Sequence, residues 1–131
     1  KVLKEGSDVS IVAFSIMVGK ALEASEQLSN EGIEAEVIDL RTIRPLDVET
    51  IIKSVKKTNR IITVEEGWPT CGIGSEISSL VCEEAFDYLD APVKRVAGVD
   101  VPMPYAANLE KLALPQSSDI VSAAKAVCYR S

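Results

Sequence analysis

Residues 60 to 77 read Arg60-Ile-Ile-Thr-Val-Glu65-Glu-Gly-Trp-Pro-Thr-Cys-Gly72-Ile-Gly74-Ser-Glu-Ile77. An apolar run passes through a Gly- and Pro-rich turn into a segment whose apolar residues Ile73, Ile77, Leu80, Val81 and Ala85 recur at the spacing of one helical face. The mostly apolar run Ile61-Ile-Thr-Val64 within Arg60 to Glu65 predicts a strand. A strand feeding a helix through a glycine turn is the repeating unit of α/β domains.

The rest of the chain keeps that rhythm. Upstream, Val9 to Phe14 is a near-continuous apolar run and predicts a first strand. Val18, Ala21, Leu22, Ser25 and Leu28 mark one face of a helix that Asn30-Glu31-Gly32 stops, and Ala35 to Leu40 predicts a second strand. Pro45 disfavours helical geometry at Arg44, so Arg41 to Asp47 is a loop, and Asp47 is placed to cap a helix with Val48, Ile51, Ile52 and Val55 on its buried stripe. Lys53, Lys56, Lys57 and Arg60 cluster at that helix's end, where cations favour the dipole and are ordinarily solvated. Downstream, Asp90-Ala-Pro92 breaks the chain before a short strand from Val93 to Ala97. Gly98 to Tyr105 is a proline-stiffened connection, Asn108 can cap a short helix ending before Pro115, and Ser118 can cap a final helix through Ile120, Ala124 and Val127. The expected fold is a three-layer α/β/α sandwich around a mostly parallel, mixed five-stranded sheet.

At 131 residues and 47% hydrophobic composition, the chain suits a single domain spanning residues 1–131. It does not begin with methionine, which makes it an expected piece of a longer chain. A net charge of −6 argues against nucleic acid or an anionic membrane as partner and favours an electropositive protein surface. No apolar run reaches the roughly 18 residues of a membrane-spanning helix. Cys71, Cys82 and Cys128 are widely spaced and suggest neither a zinc site nor a disulfide framework. With no histidine, Ser-His-Asp and Cys-His catalysis are excluded within this chain.

The turn at Gly72-Ile-Gly74-Ser-Glu-Ile77 resembles a dinucleotide fingerprint and has the required strand-to-helix context. Its third glycine is replaced by Ile77, and Glu65, Glu66 and Glu76 bring negative charge that opposes a pyrophosphate. Asp39 ends the second strand where a ribose reader would stand, but the first strand-helix turn carries no glycine pattern to accompany it. Cys71 near a helix N-terminus is a candidate nucleophile, yet the adjacent glutamates oppose a lowered thiol pKa and a structural thiol is the better reading. Glu65 and Glu66 point to opposite faces as strand neighbours and form no acid-base dyad. Trp68-Pro69 is more distinctive, because a large aromatic in a Gly-Pro loop favours packing into a domain or subunit interface.

Gly6-Ser-Asp-Val-Ser-Ile-Val12, Asp39-Leu-Arg-Thr-Ile-Arg-Pro-Leu-Asp47, Glu65-Glu-Gly-Trp-Pro69, Gly72-Ile-Gly-Ser-Glu-Ile77 and Asp100-Val-Pro-Met-Pro-Tyr-Ala106 together resemble the C-terminal, transketolase-type domain of pyruvate dehydrogenase beta subunits. Tyr105-Ala-Ala-Asn-Leu-Glu110 and the ending Cys128-Tyr-Arg-Ser131 look most like plant mitochondrial members. The resemblance implies a subunit-interface and core-docking domain of an α2β2 enzyme in the mitochondrial matrix. That enzyme decarboxylates pyruvate on thiamine diphosphate with magnesium and acetylates lipoyl groups. Both cofactors would be held outside this domain, so no catalytic, cofactor-binding or metal-binding residue is expected here. The implied partners are the alpha subunit, a second beta subunit and the subunit-binding domain of the dihydrolipoyl acetyltransferase. Asp90, in Leu89-Asp-Ala-Pro92, matches the family's aspartate that meets a basic residue of that last partner. Trp68, Pro69, Pro102, Met103 and Tyr105 are the expected interface residues. The competing expectations are the equivalent domain of another transketolase-type enzyme, such as a branched-chain 2-oxo acid dehydrogenase beta subunit, and a nucleotide-binding regulatory module.

Overall fold

A computed structural model describes residues 1–14, 17–40, 47–65, 73–96 and 115–129. Strands β1 (Val2–Lys4), β2 (Val9–Ala13), β3 (Ala35–Asp39), β4 (Ile61–Val64) and β5 (Lys94–Val96) form one sheet in the order β1-β3-β2-β4-β5. Only β1 runs antiparallel, against β3, and the other neighbours are parallel. The register places Ser10 beside Glu36 and Ile61, and Thr63 beside Arg95. Helices α1 (Met17–Asn30), α2 (Val48–Thr58), α3 (Ile73–Glu84) and α4 (Ser117–Val127) cover it, with a 3-10 turn at Phe86–Tyr88 after α3. The five-stranded mixed sheet is as expected. Four of its strands are those predicted along the chain, and the fifth is the short edge strand β1.

The alternation of side chains sorts the core into two layers. Val9, Ile11, Ala13, Ala35, Val37, Ile62 and Val64 face α1 and α4, where Met17, Ala21, Leu28, Ile120 and Ala124 are buried. Val12, Ile38, Leu40 and Ile61 face α2 and α3, where Ile51, Val55, Ile77, Val81 and Ala85 close the opposite layer. Within the predicted face of α1, Val18 and Leu22 are only partly buried, and Met17 and Ala24 carry the packing instead.

Helix ends follow local chemistry. α1 closes in a Schellman arrangement: Ile33 N–H donates to Leu28 O (2.9 Å), Gly32 N–H donates to Ser29 O (3.1 Å), and Gly32 takes φ 86°. Asp47 caps α2 as expected, accepting from the Thr50 amide (3.2 Å) and hydroxyl (2.7 Å). The last helix departs from expectation by two positions. Ser118 lies inside it, and the N-cap is Gln116, whose amide donates to Asp119 Oδ2 (2.8 Å). An acid three residues past the cap holds that end in place of a serine hydroxyl.

Candidate functional site

The segments 41–46, 66–72 and 97–114 follow the carboxyl ends of β3, β4 and β5, the edge where parallel α/β sheets receive ligands and partners. Trp68, Pro69, Pro102, Met103, Tyr105 and Cys71, and the short helix expected from Asn108, lie outside the described residues. The residues flanking those segments are described, and they decide the fate of the glycine turn.

Glu65 directly follows β4 and is 6% exposed. Its Oε1 accepts from the Gly74 amide in the first turn of α3 (3.1 Å) and from Arg95 Nη2 on β5 (3.3 Å). Helix N-termini present unpaired amides and partial positive charge, which is what a phosphate would use. Here an internal carboxylate meets that end. Position 74 has no room for a side chain as the neighbours stand: a Cβ there would lie 2.8 Å from Glu65 Oε1, 2.8 Å from Thr63 Oγ1 and 3.0 Å from Arg95 Nε, so any larger residue must displace them. The second glycine of the fingerprint therefore sits directly against the Glu65 carboxylate. Nothing in the periodicity singled Glu65 out as buried, since its cation lies 30 residues away in sequence.

A second buried carboxylate was also missed. Glu36 on β3 is 3% exposed and accepts from Ser54 Oγ (2.7 Å), from the Gly6 amide (3.2 Å) and from Lys57 Nζ. Burial pushes this carboxyl up, but the hydrogen bonds from Lys57, Ser54 and Gly6 and the Lys57 charge outweigh it and hold the group below its ordinary value. Ser54 Oγ continues to Ser10 Oγ (2.5 Å), and Ser10 to Thr58 Oγ1 (2.7 Å). Lys57 is thus not simply solvated, as its place in a terminal lysine cluster suggested. Lys56 also has an occupation, its ammonium standing 5.2 Å from the centre of the Tyr88 ring.

Asp90 sits at a corner held from several sides. Its amide donates to Asn59 O (2.8 Å), Asn59 Nδ2 donates to Tyr88 O (2.7 Å), and Tyr129 Oη donates to Asp90 O (2.9 Å). Asn59 ends α2 in the left-handed conformation, φ 64°, which turns the chain so that these bonds can form. The Asp90 side chain, by contrast, is 56% exposed, with Oδ2 3.8 Å from Arg60 Nη2. That separation leaves its acceptor capacity open to a partner, and an exposed pair of this kind contributes little on its own. Arg60 is itself fixed by donating Nε to Val127 O (3.0 Å). Phe86, Tyr88 and Tyr129, three of the five exposed large apolar side chains among the described residues, lie on the segments that build this corner. Glu83, Glu84 and Asp87 are exposed on the same stretch and make it acidic.

The described residues do not fit thiamine diphosphate or its magnesium. Among them no group of three His, Cys, Asp or Glu side chains is arranged to hold a metal ion, and the α3 N-terminus is met by Glu65. No helix among them is long and apolar enough to cross a membrane.

Comparison with known proteins places this geometry. Over its full 131 residues the chain is 65% identical to the mitochondrial pyruvate dehydrogenase E1 component subunit beta-1 of Arabidopsis thaliana, covering 36% of that protein. It is 62% identical to the E1 component subunit beta of Rickettsia felis, covering 40% of it. The chain thus spans well under half the length of these curated relatives. Among solved structures, a split-gene transketolase in an inactive β4 tetramer superposes with a TM-score of 0.85 at 38% identity, over 98% of this chain and 41% of that one. A 2-oxoglutarate:ferredoxin oxidoreductase from Magnetococcus marinus shares the fold alone, with a TM-score of 0.64 at 17% identity over 98% of this chain and 19% of that one. The profile of the transketolase C-terminal domain matches residues 1–120, and the chain belongs to that family.

Proposed function

We propose that this domain is the subunit-interface and core-docking part of a longer pyruvate dehydrogenase beta subunit, and that it performs no chemistry itself. In the complete α2β2 enzyme, thiamine diphosphate and magnesium, held outside this domain, supply the decarboxylation of pyruvate. This domain contributes surfaces: one toward the alpha subunit and the second beta subunit, carried by Trp68, Pro69, Pro102, Met103 and Tyr105, and one at Asp90 toward the subunit-binding domain of the dihydrolipoyl acetyltransferase. The relatives named mitochondrial support a matrix location.

The observation that carries the docking role is the contrast at Asp90 between a backbone pinned by Asn59 and Tyr129 and a carboxylate open to solvent. A charge on a pinned backbone with exposed aromatic side chains on the same segments suits a basic residue from a partner, because burial at an interface would desolvate the pair and strengthen it. Replacing Asp90 with Ala in the complete enzyme should weaken binding of the subunit-binding domain about tenfold or more, measured by calorimetry, since truncating one member of a desolvated charge pair costs at least about 2 kcal/mol. Affinity equal to the wild type would refute the assignment.

A further inference from the structure

One buried carboxylate ties together three elements at the carboxyl edge of the sheet. Glu65 leaves β4 with its amide donating to Val96 O (3.0 Å), while its Oε1 accepts from Gly74 on α3 (3.1 Å) and from Arg95 on β5 (3.3 Å). As a source of stability this is an inefficient arrangement, because a buried ion pair gives back much of its attraction as desolvation, and apolar residues of similar volume often serve as well. What an apolar contact lacks is direction. A single oxygen accepting from an amide and a guanidinium fixes the distance and angle between the end of β4, the start of α3 and β5, where hydrocarbon packing tolerates sliding.

Those anchored points are the roots of two segments. Residues 66–72 leave from Glu65 and return one residue before Gly74, and residues 97–114 leave from Val96. Between them they carry Trp68, Pro69, Pro102, Met103 and Tyr105.

We propose that the Glu65–Gly74–Arg95 contact is a positioning unit for the subunit interface, with Glu65 as its central residue: it sets where both interface segments leave the sheet. This rests on assigning the interface to those segments. Gly74 belongs to the same unit, because its missing Cβ is what lets the carboxylate and the guanidinium reach the helix end.

The test uses the complete beta subunit with its alpha partner and three variants. Glu65→Gln keeps the size and an acceptor for Gly74 but removes the charge that faces Arg95. Arg95→Lys keeps the charge but not the planar fork. Trp68→Ala reports on the interface itself. The α–β dissociation constant is measured by analytical ultracentrifugation well below the unfolding midpoint, and the midpoint of each beta subunit is measured alone. Glu65→Gln and Arg95→Lys should weaken assembly about tenfold or more at temperatures where both remain folded. A merely structural contact would lower the midpoint and leave assembly of the folded protein unchanged. If Trp68→Ala weakens assembly while Glu65→Gln and Arg95→Lys match the wild type, the positioning proposal is overturned and the interface assignment stands. If all three match the wild type, both fall. Should Glu65→Gln not fold, Arg95→Lys alone decides between these outcomes.

Discussion

Replacing Glu36 with Gln isolates what a buried carboxylate contributes to the α2 layer. Three donors converge on Glu36, from Lys57, Ser54 and Gly6, and only 3% of the residue is exposed. A glutamine carbonyl can still accept from two of them, but its NH2 then faces a donor, and the charge that attracts Lys57 is gone. Hydrogen bonds to charged groups contribute about 1.5–3 kcal/mol each, and Lys57, being half exposed, recovers part of its loss from water. The expected net cost is about 2 kcal/mol, which for a domain of this size lowers Tm by roughly 6–10 °C. The pH dependence adds a second signature. The carboxyl is held below its ordinary value when folded, so the stability it contributes is complete above the unfolded pKa, about 4.3, and is lost as pH falls through the lower folded value. The gap between wild type and Glu36→Gln in urea unfolding should therefore be constant near neutrality and close below about pH 4. Equal denaturation midpoints at pH 7, or a gap that widens in acid, would refute this account.

Two further perturbations test the neighbouring chemistry. Thr63 Oγ1 is buried without a hydrogen-bond partner among the described residues, so Thr63→Val should leave stability unchanged or raise it by about 1 kcal/mol, and a clear loss in thermal unfolding would mean that the hydroxyl is paired. Asn59→Ala forces an ordinary residue to φ 64° and removes the bond to Tyr88 O, which should cost about 1–2 kcal/mol; Asn59→Gly should recover most of the backbone part, and equal stability of the two variants would refute that division.

The sequence was most legible where local periodicity coincides with burial. β2, β3 and β4 announce themselves as apolar runs, and α2 carries both its cap, Asp47, and its stripe, Ile51 and Val55, within one short window. β1 was not read as a strand, because three residues at an edge carry too little alternation to stand out. Glu36 and Glu65 were illegible for a different reason: their cations, Lys57 and Arg95, stand 21 and 30 residues away, and no local pattern connects them. For Glu65 a partial signal did exist. A Gly-x-Gly turn opening a helix calls for an anion at the helix end, and the glutamate closing the preceding strand is a carboxylate already in place.

The two faces of the sheet differ in a way that bears on how the domain presents its surfaces. Toward α1 and α4 the central strands β2, β3 and β4 pack apolar side chains, while Lys4 on the edge strand β1 donates to Ser25 Oγ on α1 (3.3 Å). Toward α2 and α3 they offer Ser10, Glu36, Thr63 and Glu65, all buried. Apolar packing holds a helix on a sheet yet allows it to shift by fractions of a turn at small cost, whereas Ser10–Ser54–Thr58 and Glu36–Lys57 each fix one register of α2. The end of α2 leads directly to Asn59 and Arg60, and the end of α3 to the turn at Phe86–Tyr88, so the Asp90 corner hangs from both helices of the polar layer. The Glu65 contact fixes the opposite end of α3. The buried directional bonds therefore lie on α2 and α3, the helices from which the Asp90 corner hangs, and under the docking proposal they would hold that corner to the sub-ångström placement that a charge contact demands.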